Sequence, residues 1–408
     1  MIEIANSAGD VVKFIYACPS WIVVKGAILH DTFSTIGGAE KLMICLAKAV
    51  GADIITGQAS DEVVAVLEAQ GVNIVRLGEP INEPILRTRV TIKRFSECDF
   101  QGKYDFFIFS GIHSLHAADK HKPSIWYCHH PDKGLHYPVQ STLFIKLKQA
   151  VSKRAPILRQ MADAFRIIRN SKLKGLRELI RNFKALRFFK NVESDKSFVN
   201  CVTAIVVNSK YTANSVKGIF GRESVVVYPG IDTQKYSCKN PQNFWLSVNR
   251  IERHKRIMMQ IKAFADLPDE HLIIVGAKGD DASFNGILDR LPENVTYKGA
   301  VSEEELAELY AGCRGFITTA IDEDFGMTVI EALASGKYVI APQSGGYVET
   351  VLPSVGKLVP QMTAKTLAQA IKEDIPTDSA LRMARAKEFD LSVFVNGMKK
   401  VIECIRAR

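Results

Sequence analysis

The sequence predicts an α/β protein of two Rossmann-like domains whose parallel sheets face an interdomain cleft, and three observations carry that reading. A chain of 408 residues exceeds the roughly 250–300 residues that one hydrophobic core supports. From Val24 onward short β-rich runs alternate with stretches of helical period, the pattern of parallel strands joined by crossover helices. The alternation then stops at a polar stretch and begins again.

The first series of strands reads VKGAILH, ADIITGQA, NIVRLG, YDFFIFSG, SIWYCH, AIVVNS and SVVVYP. Runs apolar on both faces, such as FFIFSG, suit strands covered by helices on each side. After Tyr228-Pro229-Gly230 comes DTQKYSCKNPQN, read as the interdomain linker. The second series is FWLSVNR, HLIIVG, VTYKGAV, GFITTA, YVIAP and KLVP. The expected division is an N-terminal domain over 1–236, carrying a basic helical insertion at about 139–195, and a C-terminal domain over 237–386. The first twenty residues precede the first strand and receive no role.

Composition excludes several classes. Apolar residues at 47% and charged residues at 24% are an ordinary globular balance. The eight cysteines are scattered without a C-x-x-C pair, which reads as reduced thiols of a cytosolic protein rather than a disulfide frame or zinc site. FIYACPSWIVV is too short to span a bilayer, which takes about 20 residues, and it lacks the order of a signal peptide.

The net charge of +9 is local. Residues 146–190 hold fourteen Lys and Arg against Asp163 and Glu178, a net +12 that leaves −3 for everything else. Within that segment Lys174, Arg177, Arg181, Lys184 and Arg187 form a helical stripe beside Leu176, Leu179, Ile180, Phe183 and Leu186. A cationic amphipathic helix of this kind suits an anionic membrane surface; the same pattern also suits a helix packed on its own domain with solvated charges. No base-reading module accompanies it, so nucleic acid is not expected as a partner.

The most informative stretch is IDEDFGMTVIEALASGKYVIAPQSGGYVET, residues 321–350. Glu323 and Glu331 flank a strand-to-helix turn at Phe325-Gly326. Thr328-x-x-Glu331 also matches a capping box, which would give Glu331 a structural task. Amide groups at a helix start attract a diphosphate, and nearby carboxylates can bind hydroxyls. Upstream, LSVNRIERHKR places Arg250 and Lys255 after the first strand of the second domain, where two cations can neutralise a leaving diphosphate or remain solvated loop charges. In the first domain, HDTFSTIGGAEKL runs strand, Gly37-Gly38 turn, helix, and IWYCHHP ends a strand in His129 and His130.

These stretches resemble the large retaining GT-B glycosyltransferase group of the family 4 type, whose mark is Glu, seven residues, Glu, followed by A-x-x-G-x-x-V-I-A and G-G-x-x-E-T. The resemblance runs from about Val24 to about Leu358 and is denser in the second domain. It implies that Glu323 contacts the transferred sugar, that Glu331 binds the nucleotide ribose, and that Gly326 and Met327 offer backbone donors near the phosphates. Arg250 and Lys255 match its R-x-x-x-x-K element, although Asn249 stands where the group usually has Gly. Gly37 and Gly38 match its N-terminal glycine loop, His129 its H-x-P histidine facing the donor sugar, and YKGAVSEEELAELYAGC, including Val301, the segment meeting the base. The last helix, about 387–408, is expected to pack back on the first domain as in related enzymes.

The implied activity is retaining, metal-independent hexosyl transfer to a hydroxyl of a glycan or lipid-linked acceptor, with no cofactor beyond the donor. The wording CHHP, VNSKYTA and VVYPGID is most similar to mannosyltransferases, which puts GDP-mannose first and a UDP-sugar second. A UDP-sugar epimerase and a catalytically silent GT-B subunit are the alternatives. A cytoplasmic protein peripheral on the inner face of the membrane completes the expectation.

Overall fold

A computed structural model of the chain describes residues 3–5, 11–13, 24–34, 36–131, 196–279, 286, 288 and 290–407. The basic segment 146–190, with its expected amphipathic helix, lies outside them. A short antiparallel hairpin, β1 (Glu3–Ala5) with β2 (Val11–Lys13), occupies part of the N-terminal extension.

All the strand runs of the two series are strands. The first domain holds β3 (Gly26–His30), β4 (Ala52–Thr56), β5 (Ile74–Arg76), β6 (Phe106–Ser110), β7 (Ser124–Cys128), β8 (Ala204–Val207) and β9 (Val225–Val226). They form one parallel sheet of order β5-β4-β3-β6-β7-β8-β9. The second domain holds β10 (Trp245–Val248), β11 (Leu272–Val275), β12 (Val295–Gly299), β13 (Gly315–Ile317), β14 (Tyr338–Pro342) and β15 (Gly356–Val359), ordered β12-β11-β10-β13-β14-β15 and again all parallel.

Strand order reverses direction beside β3 in one sheet and beside β10 in the other. Such switch points open a crevice at the carboxyl ends of the strands, where open α/β sheets take ligands. Chain leaving β3, β6, β10 and β13 therefore has first access to the cleft. Alternation along a strand sends neighbours to opposite faces: Ile28 joins the layer under the helix Gly38–Val50, while Ala27 and Leu29 join Trp126, Phe107 and Phe109 on the other side.

The helix Leu391–Arg406 follows the second domain in sequence yet completes the first. Its Phe394, Met398, Val401, Ile402 and Ile405 are buried with Ile28, Ile108 and Tyr127, and burial of each such side chain contributes about 1.5–3 kcal/mol. The preceding helix, Ser379–Lys387, stays with the second domain, where Ala386 packs beside Val329 and Leu333. The chain thus crosses between domains twice, and the crossings are tied together. Ile231 N donates to Phe389 O at 3.1 Å and Leu391 N to Ile231 O at 2.8 Å. Asp390 caps the last helix through Ser392 N and accepts from Thr233 Oγ1 at 2.6 Å. Gly230 permits this approach, since a Cβ there would lie 2.6 Å from Leu391 Cα.

Candidate active site

Between the two switch points lies a cavity of about 430 Å³ with walls from both domains, including His129, Asn208, Arg250, Lys255, Glu323 and Met327. Each of these side chains follows a strand end or opens a helix, so the two sheets set their positions.

From the second domain, Lys255 closes a short turn after β10. The backbone there is held by Thr319 Oγ1 donating to Lys255 O at 2.8 Å, which ties the turn to the chain leaving β13. Lys255 Nζ meets Glu323 Oε2 at 2.6 Å, with both side chains largely shielded from solvent. Arg250 projects outward, 62% exposed, with Glu252 at 3.4 Å. Asn249 turns its amide beneath the turn, where Nδ2 donates to Ser247 Oγ at 3.1 Å. In place of the group's usual glycine, this side chain is buried and lines the cavity.

The Glu323 turn is built by backbone approach. Gly346 N donates to Glu323 O at 2.8 Å, and Gly345 adopts φ +59° with no room for a side chain, a Cβ there falling 2.3 Å from Glu323 O. Only glycine takes that conformation without strain. This is the physical content of the Gly-Gly pair in G-G-x-x-E-T: it buttresses the carboxylate next to Lys255.

Gly326, at φ +89°, begins the helix Met327–Ala334, so Met327 and Thr328 carry the first free amide groups. Thr328 is therefore already inside the helix and the capping-box reading of Thr328-x-x-Glu331 fails: no side chain caps this terminus. Glu331 instead accepts from Tyr310 Oη at 2.7 Å and from Tyr236. Burial raises its pKa above the usual carboxylate range, against the pull of the two hydroxyls. Val301 is half-buried at the start of the segment that leads to Ser302. Ser302 does cap its helix, accepting from Glu305 N at 3.1 Å, but the reciprocal half of that box is absent and Glu305 pairs with Lys298 at 2.7 Å.

From the first domain, Gly37 precedes the helix Gly38–Val50 and its amide donates to Glu40 Oε2 at 2.9 Å. Gly38 faces the other domain, where a Cβ would meet Met327 Sδ at 3.3 Å. His129 follows β7, and its Nε2 lies 2.9 Å from Ser110 Oγ. The same oxygen lies 3.0 Å from His30 Nδ1, and His30 Nε2 lies 3.4 Å from Glu40 Oε1. Burial, with the nearby His30 and His130, pushes the His129 imidazole down to about 3, so it is neutral across the physiological range. His130 is exposed, with Nδ1 3.1 Å from its neighbour Pro131 O. Asn208 Nδ2 donates to His129 O at 2.7 Å.

A family model described as glycosyl transferases group 1 matches residues 231–387, the span that holds Arg250, Lys255, Glu323 and Glu331. That match covers the C-terminal domain, and the chain as a whole is a GT-B protein similar to glycosyltransferase family 4. Its fold resembles Anabaena HepE, solved in complex with UDP-glucose, at TM-score 0.68 and 18% identity over 93% of this chain and 99% of that one. Sucrose-phosphate synthase from Thermosynechococcus elongatus gives TM-score 0.67 at 18% identity over 94% and 99%. Among sequence relatives, the GDP-Man:Man(3)GlcNAc(2)-PP-Dol alpha-1,2-mannosyltransferase of Mus musculus is 27% identical over 39% of this chain and 38% of its own length. The alpha-1,3/1,6-mannosyltransferase of Candida glabrata is 24% identical over 81% and 78%. An uncharacterized glycosyltransferase of Methanocaldococcus jannaschii is 25% identical over 55% and 64%. The chain thus spans less than two thirds of the mouse and archaeal relatives.

In this GT-B chain the structure brings His129, Arg250, Lys255, Glu323, Gly326 and Met327 to one cavity. Gly38 touches its edge through Met327, while Glu331, carried by the Met327–Ala334 helix and bonded to Tyr310, and Val301, packed on the second-domain core, lie outside the cavity lining. Sequence reasoning missed Ser110, His30 and Glu40, which stand at strand ends or one helical turn past the glycine loop. It also missed Glu349 as an interdomain contact: its carboxylate accepts from Lys210 N and Tyr211 N, each at 2.8 Å, and from Tyr228 Oη at 3.0 Å. A second interdomain contact pairs Lys41 of the first domain with Glu303 of the second. No helix among the described residues is long and apolar enough to cross a membrane.

Proposed function

We propose that the chain is a retaining, metal-independent hexosyltransferase that moves mannose from GDP-mannose to a hydroxyl of a glycan or lipid-linked acceptor. The observation that carries this reading is the Lys255–Glu323 pair at 2.6 Å, set beside Arg250 and opening onto the same cavity as His129. Two cations and a helix start converge where a diphosphate would leave, and fixed charges aimed at developing negative charge supply the largest share of such catalysis. Glu323 and His129 are the polar groups placed to hold the sugar, and Glu331 is the ribose carboxylate. In this scheme the leaving phosphate oxygen takes the acceptor proton on the same face, and the protein contributes position and charge. The names of the mouse and Candida relatives support mannose as the sugar, and the GDP-Man in the name of the mouse protein supports the donor.

The test is incubation with labelled GDP- and UDP-sugars, first without acceptor and then with a lipid extract. Acceptor-dependent transfer from GDP-mannose is expected. Transfer from a UDP-sugar moves the reading to the second donor, interconversion of UDP-sugars without acceptor indicates an epimerase, and no turnover with any donor indicates a silent subunit.

The stripe Lys174, Arg177, Arg181, Lys184 and Arg187 supports peripheral attachment to an anionic membrane, each basic residue contributing about 1 kcal/mol near such a surface. Sedimentation with liposomes checks it. Binding should require anionic lipid, fall with salt, and weaken when Arg177, Arg181 and Lys184 become Glu. Equal partition of the triple variant and the parent would overturn it.

A further inference from the structure

Three adjacent strands end in a row of polar side chains, of which the sugar-transfer reading uses only the last. His30 closes β3 and pairs in register with Ser110, which closes β6; His129 follows β7 on the far side of Ser110. His30 is 5% exposed and Ser110 fully buried, so water is not available to satisfy either. The single Ser110 hydroxyl sits between His30 Nδ1 at 3.0 Å and His129 Nε2 at 2.9 Å. At the outer end, Glu40 accepts from Gly37 N with one oxygen and faces His30 Nε2 with the other.

A hydroxyl has one proton to donate, and an ionised carboxylate can only accept. Although burial opposes its ionisation, the contacts from His30 and Gly37 N hold Glu40 below the usual carboxylate range. His30 therefore carries its proton on Nε2, towards Glu40. With the Nε2 proton directed at Glu40 and the 3.4 Å separation well beyond the roughly 2.7–2.9 Å of an ionised hydrogen-bonded pair, the relay takes His30 Nδ1 as bare. Ser110 must then donate to His30 Nδ1, and its oxygen is left to accept from His129 Nε2.

We infer that Glu40, acting through His30 and Ser110, fixes His129 in the tautomer protonated at Nε2, leaving Nδ1 as a hydrogen-bond acceptor on a ring that lines the cavity. Glu40, His30 and Ser110 are positioning residues. Resting on the reading of His129 as a donor-sugar residue, the relay gives that histidine a chemical direction: it accepts from a sugar hydroxyl and does not donate to one. A charged His30 would still donate from Nε2 to Glu40 but would reverse the two bonds through Ser110, turning its hydroxyl towards His129 and forcing the His129 proton onto Nδ1.

The experiment is two-bond hydrogen–nitrogen correlation spectroscopy of the histidine rings in the full chain, with His129→Asn used to assign the signal. The parent should show His129 protonated at Nε2. Ser110→Ala should release it into a mixture of tautomers, and Ser110→Thr, which restores the hydroxyl, should recover the parent pattern. In Glu40→Gln, which keeps an acceptor for Gly37 N, the His129 signal should also shift towards the mixture. Turnover of the donor sugar in Ser110→Ala and Glu40→Gln should fall about tenfold, the order of one hydrogen bond, with nucleoside-diphosphate affinity unchanged. A parent His129 protonated at Nδ1, or a tautomer unmoved by Ser110→Ala, overturns the relay. A tautomer that responds as described while donor turnover stays at the parent level leaves the relay standing and removes His129 from the sugar site.

Discussion

Replacing Glu349 by Ala removes a carboxylate of one domain that caps a helix of the other. In the structure it accepts two amide hydrogens at the start of the helix Lys210–Phe220 and the Tyr228 hydroxyl. Losing a cap of this kind costs about 1 kcal/mol, and a hydrogen bond to a charged group is worth about 1.5 kcal/mol at the low end. Lys210 is exposed, so water can reach its freed amide, and the net loss should be about 2 kcal/mol. At roughly 2–4 °C per kcal/mol for a domain of this size, the melting temperature should drop by about 4–8 °C. Glu349→Gln retains an acceptor and forfeits the favourable charge at the helix start, about 0.3–1 kcal/mol, so it should recover most of the loss. Burial and the Glu349 contact push the Tyr228 phenol up to about 12, and Tyr228→Phe combined with Glu349→Ala should cost less than the two single losses added together. Calorimetry reads the four variants against the parent. A Glu349→Ala transition within 1 °C of the parent would show that the interdomain cap contributes nothing, and the reasoning would fail there.

Glu323→Ala should nearly abolish transfer while leaving nucleotide affinity mostly intact, because contacts at the sugar act on turnover; parent turnover would remove Glu323 from the site. Arg250→Ala or Lys255→Ala should lower activity at least about a hundredfold, the scale of one preorganised electrostatic donor, and unchanged nucleoside-diphosphate binding in both would move the phosphate site elsewhere. Glu331→Ala should weaken nucleotide binding and cost about 1–3 kcal/mol, because the Tyr310 hydroxyl loses its 2.7 Å acceptor and keeps only Thr328 O at 3.4 Å; a urea midpoint equal to the parent's counts against it. For Glu331→Gln the sign follows from its raised pKa. The folded parent binds the proton more tightly than the unfolded chain, so parent stability should fall relative to the Gln variant as pH rises above about 4. Urea midpoints at pH 4 and pH 7 measure that difference, and a constant gap would refute the assignment.

Both sheets were legible because their strands are covered on two faces and read as apolar runs between turn signals, as in FFIFS and YVIAP. The cavity was legible where local spacing carries it: Arg250 with Lys255 on one turn, Glu323 with Gly326 on another. The capping-box alternative for Glu331 failed because the true start at Met327 depends on the left-handed Gly326, which spacing alone does not reveal. Contacts across long separations left no local trace. Nothing in VNSKYTANS announces that its helix is capped from Glu349, some 140 residues on, and nothing in FFIFSG says that its serine lies between two histidines.

The final helix has a consequence for the order in which the molecule assembles. The first domain's sheet ends at Val226, yet the layer covering one of its faces includes Phe394, Met398 and Val401. About 165 residues separate the two, so at roughly 5–20 residues per second the ribosome would add that layer about 10–30 s after the last strand. Through that interval the nascent sheet carries an apolar face covered only in part, by the helix Gly38–Val50, and the second domain is free to fold before the first is complete. A chain halted before Leu391 should therefore expose a grease-lined sheet to chaperones, even though every strand and every proposed catalytic side chain has already been made.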